Sequence, residues 1–103
     1  MIYEYLHSHE AYGKSAAIPG DTIRGELGLI TRRFDRILYR ERKAGKLICN
    51  KSTAGGGYYL PSCVGDVIEF VRVQESRIKK HAVTLRAARA YLKDHGKKLA
   101  SSH

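Results

Sequence analysis

The chain has 103 residues and a mass of 11.6 kDa, enough for one domain with a modest core and too little for two independent ones. Nineteen Lys and Arg against ten Asp and Glu leave a formal charge of +9, so the chain repels itself unless it meets a polyanion, nucleic acid being the first candidate. Two cysteines without a CxxC pair, no signal-like N-terminus and no apolar run near the roughly 20 residues of a membrane span exclude a disulfide framework and transmembrane insertion, and predict a cytoplasmic protein.

The charge is unevenly spread. Residues 1–30 hold two basic and four acidic side chains, residues 31–51 eight and two, and residues 52–103 nine and four. The middle stretch therefore has the densest positive excess, a net of +6.

Ile2, Tyr5 and Leu6 stand at helical spacing, so "MIYEYLHSHE" predicts a short first helix with Glu4 and Glu10 outward. The Gly, Ser and Pro of "AYGKSAAIPG" predict a loop, with residues 16–18 extended because the residue before Pro19 is biased away from helix. Asp21 is the expected cap of a second helix in which Ile23 and Leu27 face the same way, and Gly28 ends it.

A third helix is predicted from about Thr31 to Ala44, stopped by Gly45. Phe34, Ile37, Leu38 and Glu41 share one face, and Arg32, Arg33, Arg36, Arg40 and Lys43 the other. "KLICN" and "GYYLP" then read as a hairpin joined by "KSTAGG", where glycines permit positive φ. With Ile48 inward, alternation places Tyr58 and Leu60 inward and Tyr59 outward, either toward a phosphate or packed on the long helix.

From Val64 to about His95 the chain predicts one long helix of about 48 Å. Val67, Val71, Gln74, Ile78, His81, Leu85, Ala88 and Leu92 alternate steps of four and three, a heptad seam with two polar members. The seam is read as the contact of a helix-mediated homodimer, with Val67, Val71, Ile78, Leu85 and Leu92 its apolar members; the other reading is that it covers the domain's own core. "HGKKLASSH" is expected to fray.

The expected fold is thus mainly α with a small β-hairpin. Residues 1–61 are ordered as a winged helix-turn-helix, residues 62–95 form the long C-terminal helix, and residues 96–103 a tail. A helix about 12 Å across fits the DNA major groove, and a basic hairpin beside it lies along neighbouring phosphates. Arg32, Arg33 and Arg36, near the helix start, are the expected base readers. Thr31, Arg40, Lys43, Lys46, Lys51, Ser52 and Tyr59 complete the expected DNA-binding set, with Arg40 and the three lysines assigned to phosphate.

"LGLITRRFDRILYRERKAGKLI" followed by "GGGYYLP" resembles the winged-helix domains of the DeoR and BirA type, most closely over residues 18–61. With a long helix straight after the wing, the chain looks like small DNA-binding proteins of bacteriophages and prophages. The resemblance implies double-stranded DNA as partner, and a role as transcriptional regulator or as accessory to phage DNA transactions. It departs in two places. Ile30 stands where the family commonly has a capping Ser, so Thr31 is expected to cap; Glu41 stands where a core Leu is usual and is expected to snorkel or to pair with Arg42 or Arg77.

Other chemistry finds little footing. "GKS" at residues 13–15 lacks the Gly a P-loop needs five residues earlier, where Ser8 stands. His7 and His9 point apart on a helix, and no acid–base spacing suggests an enzyme, a metal or a cofactor. A protein-assembly module built on the same fold, and RNA or single-strand binding, are the alternatives.

Overall fold

A computed structural model describes residues 1–51 and 56–95. Its elements are α1 (Ile2–Ser8), a single 3-10 turn (Lys14–Ala16), α2 (Gly20–Leu27), α3 (Thr31–Lys43), β1 (Cys49–Asn50), β2 (Tyr58–Tyr59) and α4 (Val64–His95). Two compact units are distinguished, residues 1–70 and residues 71–103. The expected order of helices, hairpin and long terminal helix is the order found, and the tail expected over residues 96–103 lies outside the described residues.

The core of the first unit gathers Ile2, Tyr5 and Leu6 of α1, Ile23 of α2, Phe34 and Leu38 of α3, and Ile48 and Leu60 of the hairpin region. These are the positions that the three- and four-residue spacings put on one helix face, and burying them is the main force that holds three short helices which would be marginal alone. Glu41 joins this face without being apolar. Its carboxylate accepts from the backbone N–H of Ile2 at 3.1 Å and of Tyr3 at 2.8 Å, and from the Met1 ammonium at 2.8 Å. Glu41 therefore caps α1, whose first N–H groups have no intrahelical acceptor.

Burial alone would raise the Glu41 pKa. The hydrogen bonds from the N-terminus, Tyr3 and Ile2 outweigh it and hold the carboxyl below its ordinary value.

The turn between α2 and α3 depends on Gly28, which adopts φ 66° and ψ 37°. That left-handed conformation strains any residue with a Cβ. It lets the Leu29 N–H reach back to the Arg24 carbonyl at 2.9 Å and then turns the chain into α3. Two expected caps are corrected. Pro19, not Asp21, precedes α2, and Asp21 sits inside its first turn in an ion pair with Arg24. Ile30 occupies the cap position of α3 and Thr31 is its first helical residue, with no side chain capping the helix. The physical reason is the same at both ends: Gly28 and Pro19 set the chain direction, so the helix begins where the backbone permits and not where a capping side chain stands.

The hairpin pairs Cys49 with Tyr59 and Asn50 with Tyr58 in antiparallel register. A third strand-like segment completes it: the Ile18 N–H and carbonyl exchange two 2.9 Å bonds with Tyr58. Residues 16–18, expected to be extended, are so only from Ala17 onward, since Lys14–Ala16 form the 3-10 turn. Gly57 makes this approach possible, for it has φ 130° and a Cβ there would stand 3.1 Å from Ala17 Cβ and 3.3 Å from the Ile18 carbonyl oxygen.

The inward placement of Ile48, Tyr58 and Leu60 agrees with the alternation; Tyr58 meets the Phe34 ring edge-on at 5.3 Å. Tyr59 lies outside that core cluster, as the alternation has it, but is only 2 % exposed, which removes the reading that it meets a phosphate. Cys49 and Tyr59 are buried on the side away from the main core, where Asp66 and Glu69 of α4 are the charged neighbours of Tyr59.

The first turns of α4 are tied down within the first unit. Lys14 pairs with Glu69, the Arg42 guanidinium lies 5.8 Å from the Phe70 ring centre, and the Ser62 N–H and hydroxyl donate to Asp66 at 2.8 and 2.7 Å. The Ser62 hydrogen bonds draw the Asp66 carboxyl below its ordinary range. With no proline to interrupt it, α4 runs over the expected span to His95.

Candidate nucleic-acid interface

At 100° per residue the side chains of Tyr39, Arg32, Lys43, Arg36, Arg40 and Arg33 fall, in that order, within an arc of roughly 120° around α3. All six are exposed. The opposite arc holds Phe34 and Leu38, both buried, with Ile37 and Glu41 partly buried beside them. The core thus clamps one side of the helix and leaves five cations together on the other. None of the five makes an ion pair among the described residues.

This arrangement costs the free protein something. Arg32 and Arg33 lie in the first turn of α3, which contains no acidic residue, and a cation at a helix N-terminus opposes the macrodipole by about 0.3–1 kcal/mol. The first-turn N–H groups also lack a side-chain acceptor. An external anion would relieve both conditions.

Two other cations of the region are structural. Arg42 donates from Nε at 3.0 Å and Nη2 at 2.6 Å to the Ile48 carbonyl, and from Nη2 at 3.3 Å to Asn50 Oδ1, which ties the end of α3 to β1. Arg24 sits 5.4 Å from the Phe34 ring centre and is held by Asp21.

Among the expected phosphate ligands, Lys43 stands in the stripe and Lys51 is partly buried just after β1, where its N–H bonds the Gly57 carbonyl at 2.9 Å. Lys46 is exposed and lies over the Tyr3 ring at 4.8 Å. It borders a cleft of about 400 Å³ formed with Tyr3, Tyr12, Leu47, Leu60 and Pro61, and so stands apart from the stripe. Thr31 is exposed at the start of α3, Ser52 lies outside the described residues, and buried Tyr59 is withdrawn from the surface set.

Sequence reasoning missed Tyr39 on the exposed arc and the exposure of Ile30 just before α3. Tyr39 is 66 % exposed and Ile30 71 %. The signal for Tyr39 was present, since it lies three residues after Arg36 and four before Lys43 and so shares their side; Ile30 could not be separated from core residues by composition.

In the second unit, residues 75–95 of α4 are all exposed. Of the expected dimer residues, Val67 in the first unit is partly buried, and Val71, Ile78, Leu85 and Leu92 are exposed, Ile78 to 66 %. Gln74 is partly buried, and His81 and Ala88 are exposed.

Burial pushes the Cys49 thiol up to about 11, the Arg42 charge opposing the shift, whereas Cys63 is exposed. Among the described residues no three His, Cys, Asp or Glu side chains converge as a metal site would require, and no helix is long and apolar enough to cross a membrane. No protein-family model, curated protein or solved structure matches the chain.

Proposed function

We propose that the chain binds double-stranded DNA as a winged helix-turn-helix, with α3 in the major groove and the hairpin along the adjacent backbone. The observation that carries this reading is the exposed arc of Arg32, Arg33, Arg36, Arg40 and Lys43, without an ion pair among the described residues and backed by a buried apolar face. A merely solvated charged helix gains nothing from cations in its first turn, whereas a phosphate at that end turns their cost into binding energy.

Arg32, Arg33 and Arg36 are assigned to base edges, where a bidentate arginine–guanine pair is worth about 1–3 kcal/mol of discrimination. Arg40, Lys43 and Lys51 are assigned to phosphates, with Lys46 reaching from the turn before the wing and Thr31 donating at the helix start. Exposed Ile30 and Tyr39 extend the contact, the first to a thymine methyl, the second through its hydroxyl to the backbone. The role that fits is transcriptional regulation or assistance in phage DNA transactions.

We further propose that α4 joins two copies. Its exposed seam of Val71, Ile78, Leu85 and Leu92 supports self-association and favours an inverted-repeat site.

The test is selection of bound duplexes from a random pool, followed by gel-shift titration of the Arg33→Ala/Arg36→Ala variant. The variant is expected to lose preference for the selected site while keeping weak, salt-sensitive binding to any duplex. Unchanged preference removes the groove assignment. Better competition by single strands than by duplex would favour the single-strand alternative, and no salt-sensitive binding at all would favour an assembly role.

A further inference from the structure

The seam of α4 carries a size pattern that bears on how two copies would meet. With Val71 as position a of the heptad, the a positions are Val71, Ile78, Leu85 and Leu92, all aliphatic and exposed. The d positions that follow are Gln74, His81 and Ala88, either polar or small. Large residues are thus segregated from polar and small ones along a single helix.

We infer that α4 pairs with the α4 of a second copy in antiparallel orientation, Val71 facing Ala88, Gln74 facing Leu85 and Ile78 facing His81 of the partner copy. This rests on the self-association proposed above and specifies its geometry. In a parallel two-stranded coil, a faces a and d faces d, so the layers would be thick aliphatic pairs alternating with a Gln pair, a His pair and an Ala pair that leaves a gap. Running the helices in opposite directions sets Val71, Ile78 and Leu85 each against a small or polar residue, and only Leu92 against another aliphatic, Val67. The layers differ less in volume than in the parallel coil, and no two imidazoles are forced together.

Charge points the same way. Glu75 occupies the flanking e position and makes no ion pair among the described residues. In a parallel coil it would lie beside Phe70 of the partner copy. In the antiparallel register it lies about 3 Å along the axis from Arg86 of the partner copy, and both side chains lean toward their own N-termini and hence toward each other. The two-fold axis makes this contact twice.

The same orientation has a cost. Arg72, Lys79, Arg86 and Lys93 recur every seven residues at position b, on the same flank as Arg89. Antiparallel pairing puts both copies of this flank on one face of the coil. Repulsion there is screened by salt, and that face is the one a polyanion would approach.

The two orientations place the seam ends differently. Val71 of one copy lies about 26 Å along the axis from Val71 of the other when the helices are antiparallel, and beside it when they are parallel. The test uses the full chain with Cys63→Ser, carrying either Val71→Cys or Ala88→Cys at an exposed seam position. The two variants, differing in tag length, are mixed and oxidised mildly, and sedimentation of the parent chain gives its oligomeric state. A parent dimer and a mixed 71–88 disulfide in about tenfold excess over either homodisulfide are expected, because cysteines that far apart cannot bridge. A parent dimer with homodisulfides at both positions overturns the antiparallel register and leaves self-association standing. A monomeric parent overturns both.

Discussion

Replacing Glu41 with Gln perturbs one atom of a carboxylate on which the start of α1 depends. The native group accepts from two backbone N–H groups and an ammonium within 2.8–3.1 Å, and its side chain is only 16 % exposed. The amide keeps one acceptor oxygen and turns an NH₂ toward the remaining donors. One hydrogen bond to a charged acceptor is lost, worth about 1.5–3 kcal/mol, and loss of a helix cap by itself costs about 1 kcal/mol. A net destabilisation of about 2 kcal/mol at pH 7 is expected, which for a domain of this size lowers Tm by roughly 8–16 °C.

The pH dependence gives a second, independent readout. The folded-state pKa of Glu41 lies below its ordinary value of 4.5, so its contribution is fully present above pH 4.5 and disappears as pH falls through the depressed value. Urea unfolding of both proteins at pH 7 and at pH 3 would therefore show the difference between them shrinking in acid. Asp66, whose pKa is also lowered, titrates in both proteins and cancels from that difference. A loss under about 0.5 kcal/mol at pH 7, or one of equal size at both pH values, would refute the capping role.

Three further outcomes are expected. Arg42→Lys should destabilise the chain by about 1–3 kcal/mol in chemical denaturation, because an ammonium cannot reproduce the fork on Ile48 and Asn50; full stability in the lysine variant would argue against it. Iodoacetamide on the native protein should label exposed Cys63 and spare Cys49, both being labelled in denaturant, and mass spectrometry showing equal native labelling would contradict the burial of β1. Salt should act with opposite signs on the two proposed interactions: duplex affinity falls by about 3 to 4 in log units per tenfold salt for four phosphate contacts, while self-association of residues 71–95, with seven cations against two acids, strengthens as repulsion is screened. Dimerisation weakened by salt in sedimentation experiments would overturn the second half.

Much of the fold was legible because its signals are local. The spacing of Ile2, Tyr5 and Leu6, of Ile23 and Leu27, and of Phe34 and Leu38 marks helix faces within a few residues, and Gly28 marks a turn by its own backbone freedom. The uninterrupted run after Val64 gave α4 to the residue, and the basic arc of α3 followed from the same periodicity. Caps were misread because Asp21 and Thr31 are good capping residues in isolation, while the position of a helix start depends on where Pro19 and Gly28 direct the chain.

The hairpin shows where such signals end. Alternation along "GYYLP" correctly separates Tyr58 and Leu60 from Tyr59, but period two states only that Tyr59 points the other way. Whether that other side meets water or protein depends on segments distant in sequence, and Tyr59 is only 2 % exposed. Glu41 is similar: its place on a core face was visible, but its partners lie nearly forty residues earlier, at the start of α1.

The amino-acid order alone therefore determined the helices, the hairpin's location and the concentration of positive charge on one flank of α3, since each rests on neighbours within a turn or two. Tertiary structure alone decided which cations are left outward and which, like Arg42 and Arg24, are spent on holding the domain together. It also decided that Cys49 and Tyr59 are buried and that residues 75–95 of α4 are exposed. Those outcomes depend on desolvation by distant segments, which no local pattern encodes.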